Sequence, residues 1–454
     1  MRRMPMLIII MKKYTFLFLL CCICLTVHAQ ESIDQRIAEA VNQEDWPLLR
    51  TLYLKEGNAL ENDFLHPLSK FFLAHMYCRP DSAVTYGKEL LTTYQNEVQD
   101  AMGGIIYYLA NDLAATHQYN AAASILKQYC DALEKAGFQR NATFRNNETL
   151  FGKLAQTDGF VVEKPNKEIE IPLIFHSGDR TNPSMLFVEG SLNGHSLRIT
   201  YDTGAGVNLL SPRMAKEVNA TVISDSELPV SGVSTVNTQL AIVDSLQIGE
   251  VLYRNVPFYI TDFSTGDTIA DAKIKDLGMT CVCGSELMIS LGEITFDFAR
   301  NHLIIPATPS SKPDYAPNMY RSSSNCLLVL SYDKYTDSMI PLNFDTGASS
   351  NHLYNIYLQN HPNLFSSLSP TDTLRYAGIG GVHISNAYTI DWDYQIGHNT
   401  GVCPSVSVTD AGEEKQYQGN LGLTFMTRFD RITLNFIDMW VELRDPETNS
   451  NNSK

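Results

Sequence analysis

The sequence predicts a multidomain protein in which an all-α region, a helical bundle or helical repeat, precedes a mainly-β region of two related halves. Residues 31–138 carry apolar residues at three- and four-residue spacing, as on one face of a helix. From residue 168 onward, apolar and polar residues alternate in short runs bounded by Gly, Asn and Asp, which is typical of half-buried strands. An Asp-Thr-Gly-Ala tetrapeptide occurs in each half of this region, at Asp202 and at Asp345. The repeat predicts two β lobes related by pseudo-twofold symmetry.

The first 29 residues have the pattern of a signal peptide. Two lysines precede an apolar run from Tyr14 to Val27, Ala29 ends a Val-His-Ala cleavage pattern, and Met11 is an alternative start. The run is shorter than the ~20 residues of a spanning helix, which disfavours an uncleaved membrane anchor. Cleavage removes four basic and no acidic residues, so the formal charge changes from -16 to -20. We expect an exported protein, periplasmic or extracellular, with no stable membrane span after cleavage.

The net charge argues against a nucleic-acid-binding site, and the cysteine spacing argues against a metal site. A strongly negative chain repels phosphate backbones, so we expect no nucleic-acid partner. The six cysteines after the signal permit many disulfide pairings, and the sequence does not select one. We place the side chains of Cys281 and Cys283 on opposite faces of a strand and expect them to be poor partners for each other. Because metal-ligand spacing is missing around them, we expect no metal and no cofactor.

Residues 31–138 are the predicted helical domain, with room for two or three helical hairpins. Asp81 is suited to cap the amino terminus of a helix. Small and aromatic residues at helical spacing resemble tetratricopeptide repeats, although the period is irregular. A small helical bundle is the alternative. Such a domain could bind a protein partner.

Changes in composition give the remaining boundaries. An asparagine-rich stretch and a proline- and serine-rich stretch interrupt the periodic segments. We assign a linker at 139–167, a first β lobe at 168–305, an interlobe linker at 306–324, a second β lobe at 325–445 and a polar tail at 446–454.

The two β halves share landmarks in the same order. Each Asp-Thr-Gly-Ala follows an aromatic residue that ends an apolar-alternating run. Gly232 follows Asp202 by 30 residues, and Gly378 follows Asp345 by 33. Farther on, one glycine in each half lies ten residues before an Ile-Thr pair. Chance does not account for two tetrapeptides followed by ordered landmarks.

The repeat resembles the retropepsin-like and pepsin-like aspartic proteases over about residues 168–443. The resemblance implies an acid-protease fold in which the two loops meet, with Asp202 and Asp345 as the catalytic carboxylates. It implies that further loop residues lock and support the dyad: Thr203, Gly204, Gly284, Thr346, Gly347 and Gly422. It also implies that a glycine-bearing hairpin from each lobe covers the substrate. The residues of these flaps are Gly232, Tyr376, Gly378 and Gly380.

The chemistry requires two carboxylates because one must act as a base while the other acts as an acid. Held within about 3 Å, they share one proton and activate a water for attack on a peptide carbonyl. We therefore expect an aspartic endopeptidase acting on peptides or proteins. Ala205 and Ala348 have no side-chain donor for the carboxylates, so we expect a mildly acidic to neutral pH optimum.

Two other interpretations stay open. A catalytically inactive protein of the same fold would bind peptides or envelope proteins between its lobes, with the helical domain as a scaffold. The helical domain could also act as an inhibitory pro-segment. If the repeat were misleading, Asp202 and Asp345 would be ordinary turn residues. We expect His352 to be hydrogen-bonded or exposed, and Asp297 and Asp393 to be solvated or paired.

Overall fold

The computed structural model describes residues 31–176, 179–230, 234–378, 381–410 and 417–446. The chain divides into two compact units between Phe151 and Gly152. The predicted signal peptide and residues 447–454 of the predicted tail lie outside the described residues. Within these ranges, no helix combines the length and the apolar character needed to cross a membrane.

The first unit is helical. Its α-helices are α1 (Ile33–Asn42), α2 (Trp46–Glu56), α3 (Leu65–Met76), α4 (Pro80–Thr93), α5 (Gln95–Val98), α6 (Met102–Ala115), α7 (Tyr119–Lys135) and α8 (Ala142–Leu154), the last of which contains the boundary between the units. Two 3₁₀ turns lie at Gly57–Ala59 and Gln99–Ala101. Helix α1 packs on α2, α3 on α4 and α6 on α7, which gives three hairpins. The resemblance to tetratricopeptide repeats stays a prediction.

Local capping explains where the helices begin. The Ser32 hydroxyl accepts a hydrogen bond from the Gln35 N–H, and the Gln35 side chain accepts one from the Ser32 N–H, which forms a capping box at α1. The prediction that Asp81 caps a helix was wrong. Helix α4 begins one residue earlier, at Pro80, because a proline already has the helical φ angle and needs no N–H partner at that position. Asp81 instead lies in the first turn, where its charge favours the helix dipole.

The second unit is mainly β. Its strands are β1 (Val161–Glu163), β2 (Ile169–Pro172), β3 (Ile174–Phe175), β4 (Leu186–Leu192), β5 (His195–Tyr201), β6 (Leu209–Leu210), β7 (Thr221–Val230), β8 (Ser234–Ile248), β9 (Val251–Ile260), β10 (Cys281–Cys283), β11 (Glu293–Asp297), β12 (His302–Ile305), β13 (Met319–Arg321), β14 (Leu327–Asp333), β15 (Ser338–Phe344), β16 (His352–Leu353), β17 (Asp372–Gly378), β18 (Gly381–Ile396), β19 (Asn399–Thr409), β20 (Gly419–Leu421), β21 (Arg431–Asn435) and β22 (Trp440–Arg444). Its short helices are α9 (Pro212–Glu217), α10 (Thr268–Leu277), α11 (Ser285–Ile289), α12 (Asn355–Asn360), α13 (Pro362–Phe365) and α14 (Leu423–Met426).

The two halves of this unit repeat one strand arrangement. In the first half β5 lies parallel to β10, β10 antiparallel to β6, and β6 parallel to β9. In the second half β15, β20, β16 and β19 pair in the same order and directions. A third sheet, in the order β2-β12-β11-β21-β22, takes strands from both halves. The predicted fold class, a helical region followed by a mainly-β region, is confirmed.

Both predicted linkers contain regular structure. Residues 139–167 contain the asparagine-rich stretch and the whole of helix α8. The Asn141 side chain caps this helix by accepting a hydrogen bond from the Phe144 N–H. Residues 139–167 also include β1, which pairs with β9. Residues 306–324 include β13, which pairs with β14. The polar residues that suggested linkers are thus partly caps and strand ends.

Strand β10 corrects the expectation for its two cysteines. Residues two apart on a strand share a face, so Cys281 and Cys283 point to one side of β10 and Val282 to the other, and all three side chains are buried. Burial and the adjacent Cys281 thiol raise the pKa of Cys283. The prediction that the two side chains point apart was wrong.

Candidate active site

Each predicted catalytic aspartate lies directly after a central strand, Asp202 after β5 and Asp345 after β15. The Asp202 N–H donates to the Cys283 carbonyl, and the Asp345 N–H donates to the Leu421 carbonyl, each at 3.0 Å. The parallel partner strands therefore fix the backbone of both residues in the same way.

The structure brings the side chains of Asp202 and Asp345 together, and the two carboxyl groups hydrogen-bond to each other. The Gly204 N–H donates to Asp202 Oδ1, and the Gly347 N–H donates to Asp345 Oδ1, each at 2.9 Å. Both aspartates are only half-buried, so water can reach a pair that is otherwise enclosed by protein. One proton between two such groups creates an acid next to a base.

The surroundings of the two carboxyl groups differ. Burial, followed by the charge of Asp345, raises the pKa of Asp202 well above its ordinary value. Burial also raises the pKa of Asp345, but a hydrogen bond with Asp202, a hydrogen bond from the Gly347 N–H and the nearby Asn420 amide oppose the rise. Both pKa values are raised, which favours one shared proton on the pair, so that one carboxyl can act as an acid while the other acts as a base.

The two predicted threonines lock the loops together. The Thr203 hydroxyl donates to the Phe344 carbonyl at 2.5 Å, and the Thr346 hydroxyl donates to the Tyr201 carbonyl at 2.6 Å. Each hydroxyl also accepts the opposite threonine's N–H at 3.0 Å. Both side chains are fully buried, so each loop satisfies polar groups that the other would leave unpaired.

The predicted loop glycines are required by close approach. A Cβ atom on Gly204 would collide with the Asp345 carboxyl, and one on Gly347 would collide with the Asp202 carboxyl. A Cβ on Gly284 would lie 2.6 Å from the Ala205 carbonyl oxygen. Gly422 holds the equivalent place, where a Cβ would lie 2.8 Å from the carbonyl oxygen of Ala348. These positions exclude every larger residue unless the loops move.

Sequence reasoning missed two asparagines that support the loops. The Asn208 side chain accepts the Gly284 N–H at 2.9 Å, and the Asn351 side chain accepts the Gly422 N–H at 2.8 Å. Each asparagine follows its half's aspartate by six residues. That equal offset was the signal that could have revealed them.

Cys326 is a further residue that the sequence did not indicate. Its thiol donates to the Gly204 carbonyl at 3.0 Å, and burial raises its pKa to about 11. It lies in the second half but contacts the first loop, a pairing that no local sequence pattern predicts.

Each half contains the predicted flap hairpin. Strands β7 and β8 form it in the first half and β17 and β18 in the second. Tyr376 and Gly378 lie on β17, where Gly378 pairs with Gly381 at the turn. Gly232 and Gly380 lie outside the described residues. A substrate-binding role for these residues stays a prediction.

The remaining candidates are in structural contacts. Asp297 receives hydrogen bonds from Arg300 and Arg431 at 2.9 and 2.8 Å, and Asp393 pairs with Lys334 at 2.6 Å. His352 is 9% exposed and meets Tyr354 edge to face. In the part of the chain that the structure describes, no three His, Cys, Asp or Glu residues are placed to hold a metal ion.

Comparison with known proteins agrees with this geometry in the first half. Residues 188–270 match the family described as gag-polyprotein putative aspartyl protease, a segment that includes Asp202 but not Asp345. The chain is similar to the crystal structure of aspartic proteinase from Irpex lacteus, with a TM-score of 0.40 and 13% sequence identity over 63% of this chain and 100% of that chain. No curated protein matches the chain. The predicted resemblance to aspartic proteases is thus confirmed for the segment that carries the first Asp-Thr-Gly loop.

Proposed function

We propose that the protein is an exported aspartic endopeptidase of the retropepsin-like or pepsin-like type. One observation carries the proposal: two aspartates from equivalent loops form a hydrogen-bonded pair that water can reach. A peptide-binding protein without activity has no need for a carboxylate from both halves. The match of residues 188–270 to an aspartyl protease family supports the same conclusion.

In the proposed reaction the ionised Asp345 takes a proton from a water while the water oxygen attacks the peptide carbonyl. The protonated Asp202 donates to the carbonyl oxygen, which gives a neutral tetrahedral diol and moves the single negative charge to Asp202. Asp345, now protonated, then transfers its proton to the departing nitrogen as the carbon–nitrogen bond breaks. Asp202 recovers a proton from the diol, so water is consumed, an acid and an amine are released, and the pair returns to its starting state.

The export part of the proposal rests on the pattern of the first 29 residues. We expect the mature chain to begin at Gln30 and to occur in the periplasm or the medium. Cell fractionation followed by amino-terminal sequencing tests this, and an intact Met1 or Met11 in the cytoplasmic fraction contradicts it. The helical unit is proposed as a binding scaffold for a protein partner.

The enzymatic proposal is tested by incubating the purified mature protein with a mixed peptide library and detecting cleavage by mass spectrometry. We expect cleavage by the unmodified protein and at least a ~10³-fold loss in Asp345→Asn, because the base is removed. Asp244→Asn is the matched control, since Asp244 is an exposed residue of β8. Peptide binding without cleavage by the unmodified protein would instead support the inactive peptide-binding protein.

A further inference from the structure

A row of polar residues crosses the second half beside Asp345. The strand register places its four members side by side on β15, β20, β16 and β19, so that they share one face of the sheet. They are Asn343, Asn420, His352 and Ser407. We call them the Asp345-side row.

The equivalent row in the first half is mainly apolar. It runs across β5, β10, β6 and β9 at the corresponding pairing positions. Its members are Thr200, Val282, Leu209 and Tyr259. We call them the Asp202-side row.

Both rows adjoin the catalytic loops. Val282 and Leu209 pack together against Ala205 and Val207 of the first loop. On the other side, the Asn420 amide is close enough to the Asp345 carboxyl to oppose the rise of its pKa. Each row therefore lies next to one of the two loops that carry the paired carboxyl groups.

The Asp345-side row contains two buried polar atoms that lack hydrogen bonds of ordinary length among the described residues. Asn343 Nδ2 donates to Asn420 Oδ1 at 2.7 Å, whereas Asn343 Oδ1 and Asn420 Nδ2 make no hydrogen bond of ordinary length, the Asn420 amide lying near the Asp345 carboxyl. The two residues are only 5% and 3% exposed. Turning both amides over would still leave one acceptor and one donor. Buried groups of this kind are normally satisfied, so the pair is suited to a ligand that supplies both.

We propose that the Asp345-side row is a specificity subsite for a carboxamide side chain, Gln or Asn, next to the cleaved bond, and that the Asp202-side row takes an apolar side chain. The inference rests on the proposed function and names its substrate class. A carboxamide has one acceptor for Asn420 Nδ2 and donors for Asn343 Oδ1. A carboxylate would be repelled by the negative charge of the dyad, and an ammonium group has no acceptor for Asn420.

The test uses four peptides that differ only in the two residues flanking the central bond: Leu-Leu, Gln-Leu, Leu-Gln and Gln-Gln. We expect one of the two mixed orders to have a kcat/KM about tenfold or more above the other three peptides, because only it satisfies both rows. Asn420→Val copies Val282 of the other row and should move the preference to Leu-Leu. Asn343→Thr, which copies Thr200, provides a second variant if the first does not fold by circular dichroism.

A second measurement separates failure of the subsite from failure of the proposed function. The affinities of the four peptides for Asp202→Asn, with and without Asn420→Val, are measured by calorimetry. A mixed-order preference in binding that Asn420→Val abolishes supports the subsite even if the unmodified protein cleaves nothing, in which case only the protease proposal fails. The subsite proposal is wrong if both variants bind Leu-Leu most tightly, if both bind the four peptides with equal affinity, or if neither binds any of them. If the unmodified protein cleaves the peptides and prefers Leu-Leu, the protease proposal is supported and the subsite proposal is wrong.

Discussion

Thr295 and Thr433 pair on the adjacent strands β11 and β21, with their Oγ1 atoms 2.9 Å apart. Each lies eleven residues after its half's later loop glycine, so the two are equivalent in the repeat. The strands β11 and β21 are antiparallel, so their registers run in opposite directions. Two equivalent residues can then lie opposite each other only at the point where a local twofold axis passes between the two strands. The halves are therefore joined at two levels, by the sheet that contains β11 and β21 and by the threonines of the two Asp-Thr-Gly loops.

The loop threonines should contribute more to stability than this sheet pair. Thr346→Val keeps the side-chain shape but leaves the Tyr201 carbonyl and the Thr203 N–H buried without partners. We expect the free energy of unfolding to fall by about 2–4 kcal/mol, measured by urea denaturation. Thr295→Val is the matched control, because its hydroxyl is only half-buried, and it should cost about 1 kcal/mol or less. Equal losses in the two variants would contradict the lock.

Close packing of each glycine against the opposite aspartate predicts a large loss of activity without loss of a catalytic group. In Gly347→Ala the new methyl group must displace the Asp202 carboxyl. Since small misplacements of reacting groups cost about 10²-fold, we expect kcat/KM to fall at least that much. Gly104→Ala is the control, because a Cβ there meets nothing within 4 Å in the helical unit. Undiminished peptide cleavage by Gly347→Ala would show that the two loops can separate.

The pH optimum should be mildly acidic to neutral, because burial raises the pKa values of both Asp202 and Asp345. The sequence-based reason, that Ala205 lacks a side-chain donor, was incomplete: its backbone N–H donates to Asp202 Oδ1 at 3.2 Å. Ala205→Thr adds a hydroxyl that can stabilise the carboxylate, so the pH profile of kcat/KM should move to lower pH. Ala205→Val has the same shape without the donor and should not show this shift. A maximum below about pH 3 in the unmodified protein would disprove the expectation.

The sequence predicted the features that lie at matching positions in the two halves. The aspartate pair, the threonine contacts and the close approach of Gly204 and Gly347 were predictable because these residues lie within an Asp-Thr-Gly. The later loop glycines were predictable because each lies ten residues before an Ile-Thr pair. Contacts made by strand pairing were not predictable in this way. Asn343 and Asn420 become neighbours only when β15 and β20 align, 77 residues apart in the chain. Cys326 contacts the first loop from the other half through its thiol, 122 residues away in the chain, and no local pattern predicts this contact.

The dyad should destabilise the fold at neutral pH, in a manner that one substitution reveals. Burial and the charge of Asp345 raise the pKa of Asp202 in the folded protein. The contribution of protonated Asp202 to the free energy of unfolding is therefore complete below the unfolded-state pKa and is lost as the pH rises through the folded-state pKa. Asp202→Asn keeps an acceptor for the Gly204 N–H but cannot ionise. Calorimetry should therefore show a Tm several degrees above that of the unmodified protein at about pH 7.5, with little difference at about pH 3, below the usual aspartate value. Asp244→Asn, at an exposed site, should change neither Tm. A lower Tm for Asp202→Asn at neutral pH would mean that the two carboxyl groups do not repel each other, and the assignment of one as acid and the other as base would lose its physical basis.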